Sequence, residues 1–247
     1  MILNRILNID CMELLRRIPS DSIDLIITSP PYNKGFWSKN RNLNNGIGTK
    51  ARRIDYGVYN DYMLPTDYYE WQCAFLKECL RVLKRTGSIF YNHKDLIFNK
   101  RIIFPEYVFS FDIREILIWD RKCTPVIGKE YFYPIHEYIF WITKSKDSKF
   151  YKHRIPIEYQ KSILHINRET SNSHPAPFPI DIPKIFIKAC SDEGDIVLDP
   201  FMGSGTTAVA AQNLNRNFLG SELNQEYINM ANQRLGIPQI EPYIYLI

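Results

Sequence analysis

The stretch "IVLDPFMGSGTTAVAA", residues 196–211, decides the fold of this chain. A short apolar, β-branched run ends in Asp199, a turn passes through Gly203-Ser204-Gly205, and a helix of small residues begins at Thr206. Strand, glycine turn and helix in that order open a β–α unit. Glycines at such a turn permit positive φ and close backbone approach. The helix start would aim free N–H groups at an anionic group. Glu222, at the end of the next strand over residues 217–222, sits where an acidic residue commonly binds a ribose diol. Gly203-x-Gly205-x-x-Ala208 also fits the dinucleotide fingerprint. Taken alone, the turn is open to a nicotinamide enzyme or to a tight turn in any α/β protein.

The same alternation runs through the chain. Strands are expected over residues 2–8, 22–28, 87–92, 113–119, 136–143, 194–199 and 217–222, from short runs of β-branched and aromatic residues bounded by turn signals. Helices are expected over 12–18, 67–83, 181–191, 206–214 and 225–235. Strands alternating with helices imply an α/β fold with a doubly wound, mostly parallel sheet, here as one domain over residues 1–247. Two long connections interrupt it, residues 33–65 and 144–173, both basic and both carrying tyrosines. Long loops in compact domains commonly carry function.

A second stretch is as unusual as the first. "IDLIITSPPYN", residues 23–33, is a buried-strand pattern that stops at Ser29-Pro30-Pro31-Tyr32. Two consecutive prolines cannot donate to a sheet, so the chain leaves the strand there as a rigid turn.

Composition narrows the classes. The 247 residues are 45% apolar and 14% aromatic, and 31 Lys plus Arg against 27 Asp plus Glu give a net charge of only +4. That balance leaves a polyanionic partner to be argued from where the charges fall. Five scattered cysteines without a CxxC pair argue against a zinc ribbon or disulfide framework, and no metal site is expected. The N-terminus lacks a signal-peptide pattern, and no run approaches the ~20 apolar residues of a membrane span. A reduced cytoplasmic setting is the expectation.

Asp-Pro-Phe at the strand end is unlike a dehydrogenase. The segment resembles the S-adenosylmethionine loop of amino-directed DNA methyltransferases, written DPFxGSGTT, with every defined position present. The same family carries a catalytic [D/N/S]-P-P-[Y/F/W] tetrapeptide after a strand, matched here by Ser29, Pro30, Pro31 and Tyr32. With the catalytic motif before the cofactor motif, the order resembles the β class of these enzymes, a circular permutation of the Rossmann-like methyltransferase fold.

The resemblance implies S-adenosylmethionine as cofactor, held by Asp199, Pro200, Phe201, Gly203, Ser204, Gly205, Thr206, Thr207 and Glu222. "NIDCMELL" is similar to the family's GDCLE-type segment, with Ile9 replacing glycine, and adds Asp10 and Cys11. Asp10 also reads as a helix N-cap. "HPAPFP", residues 174–179, resembles the segment lining the methionine end and adds Pro175, Ala176 and Phe178.

The chemistry fits the residue types. An exocyclic base amine is a poor nucleophile because its lone pair is delocalised into the ring. Acceptors that hold both amine hydrogens free that lone pair, and the Ser29 hydroxyl and the Pro30 carbonyl are suitable, the prolines holding the latter rigid. Tyr32 is expected to stack on the extruded base. Cytosine C5 chemistry would need a nucleophilic cysteine, usually after proline, and none of the five has one.

The family resemblance favours cytosine N4 over adenine N6, from Ser at the first motif position and from "HPAPFP". The partner would be double-stranded DNA, with a cognate restriction endonuclease and a homodimer as open possibilities and no membrane. Lys34, Lys39, Arg41, Arg52 and Arg53 in the first loop and Lys152 and Arg154 in the second are candidate DNA contacts. Residues 34–65 would close over DNA, and 144–173 would recognise the target. Competing classes are a methyltransferase acting on protein or RNA and a non-catalytic DNA-binding module.

Overall fold

The computed structural model describes residues 2–36, 61–122, 132, 134–169 and 178–238. The chain enters through a short strand β1 (Arg5–Leu7) and a helix α1 (Cys11–Arg17). Asp10 caps α1, accepting from the backbone N–H groups of Met12 at 2.8 Å and Glu13 at 3.3 Å. Glu13 in its first turn and Arg16 and Arg17 in its last complement the helix dipole. Strand β2 (Ile23–Thr28) is buried along its whole length, as its unbroken apolar run requires of a central parallel strand. Helix α2 (Pro65–Val82) starts on a proline whose missing N–H costs nothing at that position.

Strands β3 (Leu83–His93), β4 (Leu96–Phe98), β5 (Arg101–Ile103), β6 (Ile113–Asp120), β7 (His136–Thr143) and β8 (Ile163–His165) follow. Helix α3 (Asp181–Cys190), strand β9 (Ile196–Asp199), helix α4 (Thr206–Asn213), strand β10 (Asn217–Ser221) and helix α5 (Gln225–Leu235) complete the described chain. Eight strands form one sheet in the order β1-β10-β9-β2-β3-β7-β6-β8, with β4 and β5 as a separate hairpin. β7 is antiparallel to both neighbours and every other pairing in that sheet is parallel. This is the doubly wound α/β sheet expected from the sequence.

β2 and β9 lie side by side at the centre. From β2 the chain moves to β3 on one side, and from β9 to β10 on the other. The connections therefore part at the carboxyl ends of this pair, which is where such sheets leave a crevice for ligands. One apolar layer, with Phe75, Leu76 and Cys79 of α2 and Leu14 and Leu15 of α1, covers one face. The other layer holds Ile182, Ile185 and Phe186 of α3, the alanines of α4 and Leu235 of α5. Ala208, Ala210 and Ala211 are fully buried, and their small side chains let α4 pass between α3 and α5.

The structure departs from the sequence expectation in three places. β3 begins at Leu83, four residues before the expected start, because Leu83 pairs with Ile23 across a bulge. The β4–β5 hairpin carries no Asn-Gly signal: its two turn residues, Asn99 and Lys100, both have positive φ, the geometry that pair usually marks. The segment 144–173 is not one loop. It contains β8, which joins the sheet beside β6. Among the described residues no helix is long and apolar enough to cross a membrane.

Candidate active site

A cleft of about 370 Å³ opens at the carboxyl ends of β2, β9, β10 and β3. At its centre the two unusual stretches of sequence touch. Thr28, the last residue of β2, donates its hydroxyl to Asp199 Oδ1 at 2.9 Å. Asp199 also accepts from the Phe201 backbone N–H at 3.0 Å and from the Thr207 hydroxyl at 2.7 Å. One buried carboxylate thus ties β2, the turn after β9 and the first turn of α4. Burial holds its carboxyl at about 6, above the usual carboxylate range, despite the hydrogen bonds that favour the anion.

The glycine turn is set by packing as well as by backbone freedom. Gly205 has φ +84°, and a Cβ there would lie 2.6 Å from the Ala231 Cβ on α5. The close approach at Gly205 is therefore to a neighbouring helix. Gly203 has φ +52°, and its N–H donates to Glu222 Oε2 at 2.9 Å, while Glu222 Oε1 accepts from the Asn224 N–H at 2.8 Å. Burial raises the Glu222 carboxyl above its ordinary value. Arg234 of α5 reaches back to the Ser204 carbonyl at 2.7 Å and fixes the turn from behind.

The Ser29-Pro30-Pro31-Tyr32 turn is held by side chains from distant elements. Tyr68 of α2 donates to the Pro31 carbonyl at 2.9 Å, and its oxygen also meets Gln72 and His93, each at 2.8 Å. His93 is buried and its imidazole is driven down to about 3, so it stays neutral. Ser29 Oγ and the Tyr32 hydroxyl are 2.7 Å apart. Asn92, at the end of β3, donates to the Tyr32 oxygen at 2.6 Å and to Glu137 Oε2 at 2.9 Å. Arg121 pairs with the other Glu137 oxygen at 3.1 Å, with both side chains nearly buried. Asn33, which follows Tyr32, takes positive φ and exchanges two hydrogen bonds with the Met63 backbone, closing the stem of the first loop.

Ser29, Pro30, Pro31, Tyr32, Asp10, Cys11, Phe178, Asp199, Pro200, Phe201, Gly203, Ser204, Thr206, Thr207 and Glu222 all line the cleft, with Lys34 at its acceptor side. Gly205 lies just behind the lining. Burial, with Lys94 adding to it, lowers the Lys34 ammonium to about 8. Pro175, Ala176, Lys39, Arg41, Arg52 and Arg53 lie outside the described residues.

Arg154 and Lys152 do not line the cleft. Arg154 donates to Asp192 at 2.8 Å and stacks on Tyr151, and Lys149 pairs with Asp195, all at the amino end of β9. The first half of the segment 144–173 therefore packs at the end of the sheet opposite the cleft, where Lys144, Lys149 and Arg154 pair with Asp21, Asp195 and Asp192. Among the described residues of the segment, only Arg168 and Glu169, beyond β8, reach the cleft. Trp71 of α2 also lines the cleft, edge-on to Phe201. Tyr32 is only 7% exposed, so little of its ring is open for stacking and its hydroxyl is committed to the polar network.

Asn92, Arg121 and Glu137 were not singled out from the sequence. The available signal was an acid inside the apolar strand pattern "HEYIFWIT", since acids are rarely buried without a task.

Comparison with known proteins places these features in context. A family model described as DNA methylase, of the N6/N4 type, matches residues 23–233. Type II methyltransferase M.BglII of Bacillus subtilis is 31% identical, covering 95% of this chain and 69% of that protein. DNA adenine methyltransferase YhdJ of Escherichia coli (strain K12) is 29% identical, covering 92% and 81% respectively. Among solved structures, the cytosine-N4-specific PvuII DNA methyltransferase superposes with a TM-score of 0.73 at 22% identity, covering 94% of this chain and 86% of that one. A putative DNA modification methylase of Thermus thermophilus, complexed with S-adenosyl-L-methionine, gives 0.65 at 25% identity, covering 94% and 93%.

Proposed function

The chain belongs to the DNA methylase family, and on that premise we propose that it methylates the exocyclic N4 amine of a flipped-out cytosine in double-stranded DNA, with S-adenosylmethionine as methyl donor. The observation that carries this reading is the Thr28–Asp199 hydrogen bond, which puts the proline turn and the glycine turn at one cleft.

The cleft suits both ligands. Its β9–β10 side presents the carboxylates of Asp10, Asp199 and Glu222, with Phe201 and Trp71 as aromatic faces. These fit a ligand carrying a cationic sulfur, an amino group, a ribose diol and a purine. When bound there, S-adenosylmethionine supplies an electrophilic methyl group. Among the described lining residues, the opposite side presents Lys34, Lys94, Arg121 and Arg168 against Glu137 and Glu169, which suits a polyanion.

Ser29 Oγ and the Pro30 carbonyl accept the two amine hydrogens and draw the nitrogen away from planarity. Tyr68, by fixing the Pro31 carbonyl, keeps that turn from relaxing. Cytosine is favoured because a pyrimidine carries a carbonyl two ring positions from the amine carbon, and cationic donors line this side. Adenine has a C–H at the matching distance. Adenine N6 is the second reading, supported by the likeness to YhdJ. The Type II relatives further suggest a companion endonuclease.

The test is to incubate unmodified DNA with deuterated-methyl S-adenosylmethionine, digest to nucleosides, and identify the labelled base by mass spectrometry, with RNA and protein acceptors in parallel. N4-methyldeoxycytidine from the DNA is expected. Label on adenine would replace the base assignment, and label only in RNA or protein would overturn the DNA assignment.

A further inference from the structure

Methylating an amine leaves one proton too many on the nitrogen, and the site holds an unassigned acid within two hydroxyl groups of it. We propose that Glu137 receives the proton that the amine sheds, relayed through the hydroxyls of Ser29 and Tyr32. This rests on the reading of Ser29 as the amine's acceptor.

The geometry orders the donors. A carboxylate can only accept, and Arg121 engages Glu137 Oε1, leaving Oε2 for the network. Asn92 has two amide hydrogens and directs them at its two shortest contacts, the Tyr32 oxygen at 2.6 Å and Glu137 Oε2 at 2.9 Å, with Ser29 Oγ a longer 3.3 Å away. With its oxygen already accepting, Tyr32 directs its own proton toward Glu137 Oε2, 3.3 Å away. Ser29, 2.7 Å from the Tyr32 oxygen, then directs its proton toward Tyr32. With its proton so directed, and Asn92 no nearer than 3.3 Å, Ser29 Oγ keeps a lone pair for the amine. A terminal acid therefore makes Ser29 an acceptor, although a serine hydroxyl could equally donate. The Tyr32–Glu137 distance is long for an O–H···O bond, and such contacts commonly tighten once substrate is bound.

The transfer balances. The amine lone pair becomes the new N–C bond, and the C–S pair stays on sulfur. One amine proton passes to Ser29 Oγ, the Ser29 proton to the Tyr32 oxygen, and the Tyr32 proton to Glu137. Serine and tyrosine end as they began, and the sulfonium charge and the carboxylate charge vanish together. A methylated base ammonium is a strong acid, so a carboxylate at the end of the relay can receive its proton. Glu137 lines the cleft and can return the proton to solvent as product leaves.

The test uses the full chain with unmethylated plasmid DNA and tritiated S-adenosylmethionine under single-turnover conditions. Cofactor and DNA dissociation constants are measured on the same preparations. Glu137→Gln and Tyr32→Phe are each expected to slow transfer by roughly 10²-fold, the lower end of general-base contributions, with both dissociation constants within about twofold of wild type. Because the two act as one unit, the double variant is expected to be no slower than the slower single one.

Ser29→Ala separates the outcomes. Inactive Ser29→Ala beside a near-wild-type Glu137→Gln would overturn the relay and leave the site intact, whereas an active Ser29→Ala would overturn the site itself. Losses that multiply in the double variant would also overturn the relay. Should Glu137→Gln fail to fold, Tyr32→Phe keeps the ring and removes the middle link, so wild-type transfer by that variant overturns the proposal.

Discussion

At the β9–β10 side of the cleft, one carboxylate, Asp199, gathers donors from Thr28, Phe201 and Thr207, and the turn beside it needs glycine at 205 because Ala231 leaves no space for a side chain. At the β2–β3 side, the proline turn is steadied by Tyr68, Asn92 and Glu137, from α2, β3 and β7. The first side is built mainly from backbone geometry encoded in a dozen contiguous residues. The second is built from polar side chains that meet only in the folded state. The charges differ too, acids lining the first side and mostly cations the second. A site that joins two ligands of opposite charge thus uses two kinds of construction, and the Thr28–Asp199 hydrogen bond ties them together.

The sharpest way to isolate the cofactor side is Asp199→Asn. Burial holds the Asp199 carboxyl at about 6 against an ordinary 3.8. Between those values the folded protein keeps a proton that the unfolded chain has lost, so stability falls as pH rises through that window and the full cost is present above it. His93 works in the opposite sense. Its imidazole, at about 3 against an ordinary 6.5, stays neutral while the unfolded chain protonates, so stability falls as pH drops below about 6.5. The comparison must therefore be variant against wild type. Urea melts from pH 4 to 7 should show the variant gaining on wild type, by on the order of 3 kcal/mol across the window. A flat difference would break the account of Asp199.

Gly205→Ala tests the packing of the glycine turn. Positive φ and the 2.6 Å approach to Ala231 both resist a methyl group. A loss of about 2 kcal/mol in unfolding free energy is expected. An unchanged melting temperature would show that α4 and α5 yield easily.

On the other side, Tyr68→Phe removes the hydroxyl that bridges Pro31, His93 and Gln72. About 1–2 kcal/mol of stability should be lost, and methyl transfer should slow while cofactor affinity holds. Equal losses in both functions would mean that the two sides are not separable. Arg154→Ala should do least, because its charge serves Asp192 at the far end of the sheet. DNA affinity within twofold of wild type is expected, and a larger fall would return the segment 144–173 to the DNA interface.

The same contrast explains what the sequence revealed. The doubly wound sheet and the glycine turn were legible because strand, turn and helix signals lie in contiguous residues. The proline turn was legible for the same reason. Its supporting network was not, because Tyr32 and Glu137 are 105 residues apart and only the sheet order brings them together. Glu137 and Asn92 sit inside runs that read simply as strands. Arg154 misled in the opposite direction: a basic loop suggests a polyanion until its acids, Asp192 and Asp195, are found beside it in space.

The most direct test of the joined cleft is Ser29→Ala, assayed for cofactor affinity by calorimetry and for methyl transfer to DNA on the same sample. The account predicts an unchanged dissociation constant for S-adenosylmethionine and a transfer rate lower by roughly 10²–10³-fold, as for loss of one preorganised catalytic hydrogen bond. Full transfer by the variant, or loss of cofactor binding along with transfer, would contradict it.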